Sequence, residues 1–203
     1  MTNLENADKD DKAILNGIVG LMMLGSRSFC ATRHFYFGSD TLQFGLNRSH
    51  YTLGLECPWR IRKSSLIMVG SDDYSEKAEG NDDPAWEPGM HSGHLQDQRL
   101  AELLGELREG SIVTTHSGFT VRRVELGACG DIQIELEPGW VLEVFPDGSK
   151  SMQWIFKSPD QPSIVLMNGV LNRTKRKKTI DDDGEPRDRE RVLSLLIRTT
   201  AGT

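Results

Sequence analysis

Three side chains that can bind a divalent metal lie close together near the middle of the chain. His91 and His94 are three residues apart, and Asp97 follows three residues later. Because residues three apart share a face of a helix, a helix here would present all three side chains to one metal ion. Glycines 89 and 93 instead favour an irregular segment without a rigid ligand platform. We therefore expect solvent-exposed histidines that bind no metal and are dispensable for folding.

Two further motifs contain residue types that are used in catalysis or in phosphate binding. His116 and Ser117 are a base and a nucleophile, but adjacent residues of a strand point to opposite faces, and no third group orients them. Residues 70–73 combine a glycine with short polar side chains, but their two carboxylates would repel a phosphate. We predict a turn at 70–73, no catalytic residue and no cofactor.

A long acidic segment, residues 72–94, is the strongest candidate for an interaction surface. Its carboxylates surround one tryptophan, and the predicted partner-binding residues are Asp72, Asp73, Glu76, Glu79, Asp82, Asp83, Trp86 and Glu87. Aromatic side chains supply binding energy, whereas carboxylates steer a basic partner and set the salt dependence of association. The alternative is a solvated loop that only keeps the protein soluble.

The composition is that of a globular protein with an acidic surplus. The 203 residues are 37% hydrophobic and 27% charged, with a formal net charge of -6. This charge argues against nucleic-acid binding and anionic-membrane binding, and a basic protein is the natural partner. The three cysteines are odd in number and far apart, which favours reduced thiols in the cytoplasm. The N-terminus lacks a secretory pattern, no apolar run approaches the ~20 residues of a membrane span, and no feature indicates an oligomeric state.

The elements that would position these residues are mainly strands. Between Phe119 and Phe156, four segments alternate apolar and polar residues and are separated by turn sequences at 137–140 and 146–149. A period of two places one strand face on a core, so these segments predict an antiparallel β-meander. The apolar phase changes at Arg122-Arg123, where a β-bulge would keep both halves of the strand facing the same core.

The first half of the chain contains shorter elements. Strands are predicted around Phe35 and Phe37 and over residues 51–55 and 66–69. Residues 14–22 fit a short helix or a buried strand, and their glycines favour the strand. From Leu95 the period becomes helical, with a stripe of leucines and an end at the following glycine: Leu100, Leu103, Leu104, Leu107 and Gly110.

These elements predict a single α+β domain over residues 13–171, which is a mostly antiparallel sheet with one principal amphipathic helix packed on it. Residues 1–12 are polar and predict a flexible arm. Residues 172–203 carry runs of alternating charge and predict a charged linker followed by a short C-terminal helix.

Three motifs resemble a family of uncharacterised small bacterial proteins and, through it, the immunity proteins of contact-dependent or polymorphic toxin systems. They are Cys57-Pro58-Trp59-Arg60-Ile61, Val69-Gly70-Ser71-Asp72 and Leu142-Glu143-Val144-Phe145-Pro146-Asp147-Gly148-Ser149. The resemblance spans residues 15–168 and implies a single cytoplasmic domain. It carries over no catalytic residue, and residues 76–87 lie outside its motifs.

Together these observations favour a non-enzymatic acidic binding protein. Its sharpest form is an immunity or anti-toxin protein that sequesters a basic protein partner such as a toxin. The alternative is an enzyme or a metal-dependent ligand-binding protein that uses His91, His94 and the acidic segment.

Overall fold

The structure is a computed structural model, and it describes residues 10–29, 32–39, 42–43, 51–88, 93–109, 112–114, 118–148 and 151–174. Its helices are α1 over residues 10–15, α2 (Leu95–Leu104) and the 3-10 turns Asn16–Ile18 and Asp72–Ser75. Its strands are β1 (Met22–Phe29), β2 (Thr32–Gly38), β3 (Leu42–Gln43), β4 (Tyr51–Leu55), β5 (Trp59–Lys63), β6 (Leu66–Gly70), β7 (Leu107–Glu109), β8 (Ile112–Thr114), β9 (Thr120–Leu126), β10 (Ile132–Glu137), β11 (Trp140–Val144), β12 (Met152–Lys157), β13 (Ser163–Met167) and β14 (Val170–Thr174).

Eleven of these strands form one sheet in the order β14-β13-β12-β4-β2-β1-β9-β10-β11-β5-β6. Every neighbouring pair is antiparallel, and a second sheet has the order β3-β8-β7. The predicted mostly antiparallel architecture is therefore confirmed. Its finer form, with one principal helix, is not confirmed, because α2 has only 10 residues and α1 is another short helix among the described residues.

The large sheet folds back on itself around one core. Its two halves meet at β1 and β9, whose ladder contains only the pair Met22 and Thr120. Phe35 of β2 packs edge-on against Trp59 of β5, with ring centroids 5.1 Å apart, although five strand positions separate them in the sheet. Trp154 of β12 donates a hydrogen bond from Nε1 to the carbonyl oxygen of Gly130, 2.7 Å away in the β9–β10 turn. These contacts join opposite halves, so the inward-facing side chains of both form a shared core.

The predicted β-bulge in β9 is confirmed. In the ladder with β10, Arg123 pairs with Glu135 and Val121 pairs with Leu136, so Arg122 is the extra residue. Val121 and Leu126 are both buried. The bulge thus keeps both halves of the strand on the core, as the change of apolar phase required.

The predicted four-stranded meander is only partly correct. Strands β9, β10 and β11 are consecutive neighbours, as expected. The fourth segment, β12, pairs instead with β4 and β13, while the second neighbour of β11 is β5. Alternation predicts which face of a strand is buried, but it contains no information about the strand that will lie alongside.

Two predictions about helices are wrong in detail. Residues 14–21 do not form a strand, and only Met22 of the predicted range belongs to β1. Helix α1 and a 3-10 turn occupy residues 10–18 and bury Leu15 and Ile18, which are three residues apart. Helix α2 ends at Gly105, whose φ of 59° is left-handed, rather than at Gly110.

The two ends of the described chain are joined by an ion pair. Residues 10–12, which the sequence placed in the N-terminal arm, lie in α1. Asp11 is 5% exposed and accepts a hydrogen bond of 2.6 Å from Nε of Arg173 in β14.

No helix in the described part of the chain is long and apolar enough to cross a membrane.

His34, on the face of β2 opposite the core, makes stability depend on pH. A Cβ atom at Gly54 would lie 2.9 Å from the His34 ring, so the glycine makes room for it. Burial chiefly, and then the charges of Lys157 and Arg33, lowers the pKa of His34 from 6.5 to about 4. At pH values between these two pKa values, the His34 ring is protonated in the unfolded chain but neutral in the folded chain. The free energy of unfolding therefore decreases as the pH falls through this range.

His34→Gln should therefore flatten the decline in stability between about pH 6.5 and 4. Urea unfolding of both proteins across this range measures the difference. Carboxylate titrations are common to wild type and variant, so they cancel in the comparison. An identical pH dependence in the two proteins would show that His34 does not titrate in this way.

Candidate functional site

The acidic loop, defined here as residues 72–87, is held against the start of α2 by backbone hydrogen bonds. The amide of Ala78 donates to the carbonyl of Gly93 at 2.8 Å, and the amide of Leu95 donates to that of Glu76 at 2.9 Å. Farther along α2, the Gln98 side chain accepts a hydrogen bond from the amide of Glu79 at 2.8 Å. The acidic loop is thus an ordered extension of the fold, although it is nearly devoid of regular secondary structure.

Six of the seven carboxylates in the acidic loop are exposed to solvent: Asp72, Glu76, Glu79, Asp82, Asp83 and Glu87. Asp73 is different, because it accepts a hydrogen bond from the amide of Gly70 and forms an ion pair of 2.8 Å with Arg99 of α2. The structure therefore divides the predicted site into an exposed acidic surface and one carboxylate that positions the loop.

Two aromatic rings of the acidic loop pack against the histidine that precedes α2. The His94 ring stacks on Tyr74 with centroids 4.1 Å apart and meets the edge of Trp86 at 5.8 Å. His94 is only 1% exposed, whereas Trp86 is half-buried. The prediction that His94 is solvent-exposed is wrong, because its ring packs between Tyr74 and Trp86 in the folded loop.

Of the other predicted ligands and nucleophiles, only Asp97 lies among the described residues. His91, His116 and Ser117 lie outside the described residues. Asp97 accepts a hydrogen bond of 2.7 Å from Arg33. Within the described ranges, no group of three or more His, Cys, Asp or Glu side chains has the arrangement of a metal site.

A buried arginine, which the sequence analysis did not identify, ties the start of α2 to the sheet. Arg33 of β2 is 3% exposed and donates from Nε to Oε1 of Gln96 at 3.0 Å and from Nη2 to both Gln96 and Asp97. Gln96 in turn donates from Nε2 to the carbonyls of Gly70 and Ser71 at 2.7 and 3.1 Å. This network fixes the base of the acidic loop to β2, and it satisfies the pairing that a buried charge requires.

Comparison with models of protein families, with curated proteins and with solved structures finds no match. The resemblance to immunity proteins therefore stays a prediction, and function has to be argued from the chain's own residues.

Next to the Arg33 network lies a cavity of about 250 Å³. Leu55, Cys57 and Trp59 contribute buried walls, and the exposed Glu56 and Asp72 also line it. Burial raises the pKa of the Cys57 thiol to about 12, so the thiol is protonated and a poor nucleophile at neutral pH. The acidic loop and this cavity offer fixed negative charge and hydrogen-bonding groups, which are the properties of a binding site.

Proposed function

We propose that this chain is a non-enzymatic acidic binding protein of the cytoplasm, whose partner is a basic protein. The observation that carries the proposal is that six exposed carboxylates lie on a backbone already ordered by hydrogen bonds to α2. A surface that is ordered before binding loses little conformational entropy when it binds. Its clustered negative charge attracts a positively charged surface and accelerates association.

Trp86 supports the same proposal. Its ring packs edge-on against the buried His94, which restricts its orientation, and part of the residue stays accessible to solvent. A large aromatic group held in one orientation contributes contact area at a low entropic cost. Trp86 is thus placed to act as the apolar anchor within the acidic surface.

In its sharpest form, the proposal is that the chain is a bacterial immunity or anti-toxin protein and the partner is a basic toxin. Support comes from the net charge of -6 and from the motifs at residues 57–61, 69–72 and 142–149. An immunity protein acts by occupying a surface of its toxin, so it needs shape and charge rather than catalytic groups.

The alternative, an enzyme or a metal-dependent ligand-binding protein that uses His91, His94 and the acidic loop, has less support. To bind a metal, the His94 ring would have to leave its stack with Tyr74. Asp97 would also have to give up its ion pair with the buried Arg33.

The proposal can be tested by affinity capture with two charge-neutralised variants. The loop triple is Glu76→Gln, Glu79→Gln and Asp82→Asn, and the control triple is Asp131→Asn, Glu137→Gln and Asp147→Asn. All six positions are exposed, so the two variants change the net charge equally. We expect wild type and the control triple to capture the same basic protein from the native cell and the loop triple to capture much less. Equal capture by both triples would contradict the proposal.

A further inference from the structure

The cavity beneath the acidic loop combines a buried cation with carboxylates at its mouth. We propose that it binds a basic α-amino acid, either free or as the C-terminal residue of a chain. The α-carboxylate would bind Arg33, and the cationic side chain would bind Glu56 and Asp72. This inference rests on the residues of the cavity and does not require the proposed protein partner, although both use Asp72.

The carboxylate half of the proposal rests on an unused donor of Arg33. Nε and Nη2 of Arg33 bond to Gln96 and Asp97, but Nη1 has no hydrogen-bond acceptor among the described residues. The side chain lines the cavity and is 97% shielded from solvent. A guanidinium group matches the geometry of a carboxylate, so Nη1 is available to a carboxylate ligand. A carboxylate entering the cavity would satisfy Nη1.

The preference for a positively charged ligand side chain follows from the balance of charges around the cavity. Arg33 is already ion-paired with Asp97 at 2.7 Å, so the charges of Glu56 and Asp72 are not balanced by it. Both carboxylates are exposed and line the cavity, and Glu56 accepts a hydrogen bond of 3.3 Å from Thr32. A ligand with a carboxylate and an additional positive charge fits this distribution, whereas phosphate or another simple anion would be repelled.

The size and walls of the cavity restrict the ligand further. About 250 Å³ is slightly below the ~300 Å³ at which pockets for drug-sized ligands begin, so the cavity accommodates one amino acid rather than a nucleotide. Leu55, Pro58 and Trp59 also line the cavity and provide apolar surface. The methylene groups of an arginine or lysine side chain can pack on such a surface.

Isothermal titration calorimetry of the full chain tests the inference with four probes. L-arginine should bind, while agmatine, which lacks the carboxylate, and L-norleucine, which lacks the side-chain charge, should each bind about tenfold more weakly. The tripeptide Gly-Gly-Arg shows whether the ligand is a chain end or a free amino acid. If Gly-Gly-Arg binds more tightly than free arginine, and C-terminal amidation abolishes this binding, the ligand is a chain end. If Gly-Gly-Arg binds more weakly than free arginine, the ligand is the free amino acid. No binding of arginine or of the tripeptide, or equal binding of arginine and agmatine, would overturn the proposal.

Two variants and one control test which cavity residue binds which charged group of the ligand. Glu56→Gln, at an exposed position, should weaken L-arginine about tenfold, and Glu76→Gln, outside the cavity lining, should not. Arg33→Met, provided it folds, should abolish the preference for arginine over agmatine. If Glu56→Gln leaves the affinity for L-arginine unchanged, the assignment of Glu56 to the cationic side chain would be overturned. The loop triple avoids the cavity, so it should retain arginine binding whether or not it captures a protein partner, which separates this test from that of the proposed function.

Discussion

Trp154→Ala is expected to lower the free energy of unfolding by about 3–5 kcal/mol, enough to threaten a domain of ordinary stability. The Trp154 side chain is fully buried in the core shared by the two halves of the large sheet. Its removal leaves a cavity and also deletes the hydrogen bond from Nε1 to the carbonyl of Gly130. Urea unfolding at neutral pH measures the loss.

Two controls separate these contributions. Trp154→Phe keeps an aromatic ring but removes the N–H donor, so it should cost less, about 1–3 kcal/mol. Phe29→Ala, at a side chain that is 61% exposed, should change stability by less than about 0.5 kcal/mol. A soluble Trp154→Ala variant with an unchanged unfolding midpoint would show that this residue is not central to the core.

Arg33→Met should be the second most destabilising of the changes considered, at about 3 kcal/mol. The methionine fills part of the same buried space but donates no hydrogen bond. Oε1 of Gln96 would then lose its Arg33 donors, and Asp97 would lose its ion-pair partner. Because Gln96 also holds the backbone at Gly70 and Ser71, we expect increased amide exchange in the acidic loop.

Arg123→Met is the matched control for this change. Arg123 is 59% exposed and pairs with the surface carboxylates Glu125 and Glu135, so its loss should cost less than about 1 kcal/mol. If Arg33→Met and Arg123→Met are equally stable, the buried network does not hold the base of the acidic loop.

The strands and their buried faces could be predicted because alternation is a local property. In β2, Phe35 and Phe37 are fully buried, while His34 and Tyr36, which alternate with them, face the other way. The bulge at Arg122 was predictable for the same reason, since the apolar phase can be read over a few residues.

Strand pairing could not be predicted in the same way. The segment that contains Trp154 has the expected alternation, but its partner β4 lies about 100 residues earlier in the chain. Pairing depends on which strand edges meet in the folded core, and a period of two is compatible with many partners.

The candidate site was predictable in composition but not in organisation. A run of acidic residues without regular periodicity indicates exposure, and six of its carboxylates are exposed. The order of the loop arises from contacts between residues far apart in sequence. Arg33 and Gln96 are 63 positions apart, and His94 packs on Tyr74, 20 positions earlier. An arginine in a strand and a histidine that follows a glycine have no local pattern that distinguishes buried positions from exposed ones.

The central claim is that the acidic loop is a preorganised surface for a basic partner, and the association rate of the captured protein tests it most directly. At low ionic strength the loop triple should associate about tenfold more slowly than the control triple, and the difference should shrink as added salt screens the charges. Dissociation rates of the two triples should differ much less, because exposed charges act mainly on encounter. Equal association rates for the two triples at every ionic strength would contradict the claim.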